Sequence, residues 1–137
     1  MLEYEIWYEG DLRTRCIHSE NKAEILTDAP KDNQGQGALF SPTDLLAVSL
    51  GSCMLTIMGI QANRLKVDIK GTKVVVTKEM QVHPVRRIAK ITASFYCPHS
   101  VDPLIAKQLQ HAAEQCPVHK SLHPDIVQEF HYQWGNA

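Results

Sequence analysis

The chain has no run of five or more charges of one sign, and its net charge is only −1 over 137 residues. A nucleic-acid binder needs a basic face and an electrostatic membrane contact needs a basic cluster, so neither partner finds support. A basic leader is missing too: Met1 to Glu9 alternates acidic and apolar residues. The expected location is therefore the cytoplasm, where four cysteines point to reactive, metal-binding or buried thiols rather than a disulfide framework. There is no internal repeat and no low-complexity segment. Gly and Pro stand at only 7 each, which excludes collagenous, fibrous and wholly disordered classes. The longest uncharged stretch, Leu45 to Asn63, is broken by Ser49, Gly51, Ser52, Thr56 and Gln61 and reads as a buried core helix, not a membrane span.

What remains is one domain's worth of chain, residues 1–137, with enough apolar residues for a single core. Leu2, Tyr4, Ile6 and Tyr8 alternate with Glu3, Glu5, Trp7 and Glu9, the period of a half-buried strand. Gly10-Asp11 and Ser19 to Lys22 are turn signals, so Leu12 to His18 and Ala23 to Thr27 follow as further strands. A polar, Gly-containing loop runs from Asp28 to Gly37. Ser41-Pro42-Thr43-Asp44 starts a helix: Ser41 caps, Pro42 suits the first position, and Asp44 returns the capping bond. This helix extends to about Leu65 and is apolar nearly all round, so it is expected to be central and covered on most sides.

Two strands, Val67 to Met80 and Arg86 to Cys97, should be joined by a turn at His83-Pro84. In the second, Ala89, Ile91, Ala93, Phe95 and Cys97 form the buried face. Asp102-Pro103 opens another helix, along which Ile105, Leu109, Ala112 and Cys116 make a buried stripe, with Pro117 ending it. A helical turn is expected at His119 to Leu122. A last strand, Val127 to Trp134, places Phe130, Tyr132 and Trp134 on one face. This order predicts an α+β domain with antiparallel sheets packed on the long central helix.

Cys53 lies mid-helix between Ser49 and Ile57, beside Gly51 and Ser52, which allow close approach of another helix or a substrate. A buried thiol is raised in pKa unless a cation or a helix start compensates, so reactivity needs a partner. Arg13 and Arg15 on the early hairpin are the candidate cations. Cys116, expected in the last turn of its helix, lacks a favourable dipole and suits a resolving role. Cys16 and Cys97 read as structural. Cys97, His99, Cys116, His119 and His123 offer zinc-type donors, but their spacing matches no usual finger or ribbon.

Phe40-Ser-Pro-Thr-Asp-Leu-Leu-Ala-Val-Ser-Leu-Gly-Ser-Cys53-Met, then a strand pair, then His111-Ala-Ala-Glu-Gln-Cys116-Pro-Val-His119-Lys, resembles the OsmC/Ohr family of thiol peroxidases, in its broad OsmC-like branch. The resemblance implies an intertwined homodimer with two active sites formed between subunits. It implies Cys53 as the peroxidatic thiol, Cys116 as the resolving thiol, and an early-hairpin arginine, with Arg13 preferred over Arg15. Peroxidase members carry Glu directly after the Pro, where this chain has Thr43; Asp44, one step on, is the substitute candidate, turned by about 100° around the helix. The implied activity is reduction of organic hydroperoxides, and of hydrogen peroxide as a second substrate. An external dithiol serves as reductant, and neither a metal nor a bound cofactor is required. The alternatives are a small-molecule-binding dimer without activity and the Cys/His zinc site.

Overall fold

The computed structural model describes residues 1–135. The chain divides into two compact units, Met1–Leu46 and the remainder from Ala47 onward.

In the first unit, β1 (Tyr4–Gly10), β2 (Arg13–His18) and β3 (Glu24–Asp28) form an antiparallel sheet in that order. The turn between β1 and β2 carries Asp11 and Leu12 at φ 52° and 63°, and the strand register shifts between Tyr8 and Gly10. Leu12 N–H closes on the Tyr8 hydroxyl at 3.3 Å. The half-buried strand expected at the start is not realised within this chain. Ile6, Trp7 and Tyr8 are all more than half exposed, at 62%, 55% and 67%. Alternation can only bury a face that something covers. The loop after β3 is tied to itself: a 3-10 turn spans Lys31–Asn33, and Gly37 N–H reaches Ala29 O at 3.2 Å.

Helix α1 (Pro42–Leu65) begins as the sequence predicts. Asp44 N–H donates to Ser41 Oγ at 3.0 Å, and Ser41 N–H donates to Asp44 Oδ2 at 2.9 Å, a reciprocal capping box. At its other end Lys66 adopts φ 57°, and Val67 N–H returns to Ala62 O at 3.0 Å.

From Ala47 on, α1 lies against a second sheet of β4 (Lys73–Gln81), β5 (Arg87–Cys97) and β6 (Val127–Trp134), with β5 in the middle. Leu50, Met54 and Met58 of α1, Ile91 and Phe95 of β5, and Leu109 belong to one buried cluster. Gly51 permits the approach: a Cβ there would come within 2.7 Å of Val76 Cγ2. Only one side of α1 is buried, however, while Val48 and Ile60 are 45% and 44% exposed. The all-round apolar pattern thus exceeds what the second unit covers.

Three further expectations are corrected. Residues from Val67 to Thr72 lie outside β4, which starts at Lys73. Register slips at Glu79/Met80, so Met80 pairs with Ile88 and Ala89 is bypassed; Ile88, not Ala89, turns inward. β6 runs parallel to β5, so the second sheet is mixed and not wholly antiparallel. The intervening α2 (Pro103–Ala113) and α3 (Pro117–Ser121) carry the chain back to the end where β5 began, as a parallel crossover requires. The α+β class stands.

Candidate functional site: a thiol pair on helix α1 and the start of α3

Cys53 is half-buried at the edge of the core, on the fourth turn of α1. Cys116 is completely buried, but not in the last turn of α2 as the sequence suggested. That helix ends at Ala113, with Glu114 as its C-cap, and Cys116 is the N-cap of α3. Pro117 explains both facts. It cannot continue a helix, yet its fixed φ and missing N–H suit the first position of the next. The Cys116 sulfur therefore accepts a hydrogen bond from His119 N–H, at 3.2 Å.

The fold brings these two thiols together. Burial pushes the Cys116 thiol up, and the neighbouring Cys53 thiol pushes it further through hydrogen bonding and charge. The main-chain N–H groups of His119 and Val118 pull the other way, without overcoming burial. Tyr132 of β6 also faces Cys116, stacks on Phe95 at 5.0 Å, and donates its hydroxyl to Glu114 Oε2 at 3.0 Å. Burial and the Glu114 carboxylate raise the Tyr132 phenol strongly, so it stays neutral at physiological pH. A groove of about 590 Å³ starts one turn beyond Cys53, with Ile57, Ile60 and Ala112 as apolar floor, Arg64 and Lys107 as cations, and His111 on its wall; neither sulfur lines it.

Arg13 and Asp44 belong to the first unit. Arg13 pairs across the β2–β3 register with Asp28, donating from Nε to Oδ1 at 2.7 Å and from Nη2 to Oδ2 at 3.0 Å. Asp28 is buried, with only 4% of its side chain exposed. Its carboxyl is held below the usual range, chiefly by the Arg13 hydrogen bond and charge, with help from the Ala38 and Leu39 main chain. Arg15 lies instead between Glu9 and Glu24, both on exposed strand positions. Arg13 lines a polar recess of about 290 Å³ with Glu9, Asp11, Asp28 and Gln36. Asp44 is engaged in the capping box.

Sequence reasoning missed Asp28, taken as the first residue of a loop. Counting the β2–β3 register would have set it opposite Arg13. It also missed Glu114, Gln128 and Tyr132 as the polar groups around Cys116, and it named His119 only as a zinc-type donor. No group of three or more potential metal ligands converges among the described residues, so the zinc reading gains no geometry.

A family model described as OsmC-like protein matches residues 35–130. The chain belongs to this family. A solved structure from Psychrobacter arcticus 273-4, provisionally described as an osmotic stress induced and detoxification response protein, is 47% identical; it covers 97% of this chain and 96% of its own, with a TM-score of 0.92. An OsmC-like protein of Mycoplasma pneumoniae shares the fold at a TM-score of 0.83, with 16% identity over 99% of this chain and 98% of that one. The organic hydroperoxide resistance protein OsmC of Legionella pneumophila shares it at 0.78, with 12% identity over 97% and 96%. No curated protein matches the chain.

Proposed function

We propose that this OsmC-like protein is a thiol-dependent peroxidase that reduces organic hydroperoxides. The observation that carries the reading is the Cys53–Cys116 pair, a partly accessible thiol beside a fully buried one. The Cys53 thiolate attacks one peroxide oxygen; an S–O bond forms, the O–O bond breaks, and the alkoxide leaves as alcohol on taking up a proton. The Cys116 thiolate then attacks the Cys53 sulfenic acid, forming the S–S bond and releasing water. An external dithiol restores both thiols by exchange. The apolar groove beyond Ile57 favours an alkyl-bearing substrate over hydrogen peroxide, because hydrocarbon gains from leaving water.

Arg13 is the arginine we assign to the thiolate, on the family resemblance; within its own unit, buried Asp28 holds its guanidinium in one orientation. Asp44 is assigned a supporting charge, which Asp44→Asn tests while keeping the shape of the capping box. A homodimer accompanies this reading. The uncovered apolar residues of β1 and the bare side of α1 are what a second copy would bury.

The test is to treat the reduced protein with one equivalent of an alkyl hydroperoxide and map the disulfide by mass spectrometry. A Cys53–Cys116 bond within seconds is expected. Slow or scattered oxidation would overturn the peroxidase and leave the second reading, a binding dimer without turnover. That alternative is favoured by the engagement of Asp44 in its cap.

A further inference from the structure

Cys116 must form a thiolate in a place that resists one. It is completely buried, and the groups that face it from other elements are Cys53 of α1 and the neutral Tyr132 of β6, bonded to the Glu114 carboxylate at the end of α2. None of these is a cation. Favourable interactions come from the chain itself. Pro117 has no N–H to give, so the first donors to the sulfur are the main chains of Val118 and His119. The His119 N–H is 3.2 Å from Sγ.

Five residues of helix do not hold such a donor by themselves, because an isolated turn is unstable. The restraint comes from β6. His119 Nδ1 is 2.6 Å from Gln128 Oε1, an oxygen that can only accept, so the imidazole donates. Gln128 Nε2 reaches back to His119 O at 3.4 Å, and the imidazole ring meets Phe130 edge-on at 5.2 Å. His119 is thus gripped by ring and carbonyl while its N–H bonds the sulfur.

We propose that His119 is a positioning residue for Cys116: seated on Gln128 and Phe130, it fixes the main-chain N–H that stabilises the attacking thiolate. The attack itself rests on the peroxidase reading; the effect on the thiolate does not. In that step Cys116 gives its proton to water, the S–S bond forms, and the Cys53 S–O bond breaks. The departing hydroxide takes up a proton as water.

Two measurements test this. In a Cys16→Ser/Cys53→Ser/Cys97→Ser variant, Cys116 is the sole thiol and its thiolate absorbance can be titrated. Adding His119→Ala keeps the N–H but removes its seat, and should raise the midpoint by up to about one pH unit, the size of a charge-assisted hydrogen bond that is no longer held on the sulfur. Gln128→Leu should give part of that shift, and His119→Asn, whose amide can still donate to Gln128, should restore most of it. With all four cysteines present, His119→Ala should leave sulfenic acid formation unchanged and slow disulfide closure about three- to fourfold below the midpoint, because the higher pKa also makes the remaining thiolate a better nucleophile.

An unchanged midpoint overturns the proposal, as does equal slowing of both steps. If His119→Ala fails to fold by circular dichroism, the Gln128→Leu midpoint decides alone. Should the parent protein reduce no hydroperoxide, the peroxidase reading falls while the titration still decides the role of His119.

Discussion

The two units solve burial in opposite ways. Up to Leu46 the buried residues are Thr27, Asp28 and Ser41, all polar, while Ile6, Trp7, Tyr8 and Ile25 stand exposed. From Ala47 on, the buried set is a contiguous apolar cluster with the thiol pair at its edge. The first unit is held by cross-strand bonds and by ion pairs such as Arg13–Asp28; the second is held by packing. A sheet with exposed aromatics and no apolar core of its own is marginal in water. The comparison teaches that the first unit's alternating pattern calls for a cover its own sheet does not supply, as the proposed homodimer would.

Substitution can break that contrast. The largest effect expected is on turnover: Cys53→Ser should abolish hydroperoxide reduction in a coupled assay. Cys116→Ser should allow one turnover and then accumulate over-oxidised Cys53, read as added oxygen mass. Next comes the packed unit. Leu50→Ala should cost about 2–5 kcal/mol in denaturant unfolding, since Leu50 is fully buried. A loss near zero there would dissolve the contrast between the units.

Gly51→Ala should cost about 1–3 kcal/mol, because its Cβ would crowd Val76 and β4 would have to shift. Trp7→Glu sharpens the comparison from the other side. If a second copy covers β1, light scattering should show the assembly falling to monomer; an unchanged mass would leave the exposed face genuinely wet.

The smallest effect concerns acid. Asp28 has a folded pKa below its unfolded value, so its contribution is present above about pH 4 and is lost as pH falls through the lower folded value. Asp28→Asn should remove that part of the acid dependence, measured as unfolding midpoints between neutral and strongly acid pH.

Much of this was legible in the sequence because it is local. The start of α1 followed from Ser41, Pro42 and Asp44, and the shared face of Phe130, Tyr132 and Trp134 followed from strand period. The failures are where two local rules coincide or distance decides. Pro117 both ends one helix and suits the start of the next, so Cys116 was placed in α2 when it caps α3. The bulge at Glu79/Met80 changed the phase of β5, and the parallel run of β6 depends on the route through α2 and α3. Arg13 could not be separated from Arg15 without the register that sets Asp28 opposite it.

The sequence by itself determined the α+β class, the element order and the two helix-associated cysteines as the chemical candidates. Those rest on hydrogen-bonding and period within a few residues. Only the tertiary structure decided that Cys116 lies against Cys53, that its sulfur is held by His119, and that Arg13 is clamped by a buried carboxylate. Each of these needs residues from different elements to share one place, and packing, not local preference, puts them there.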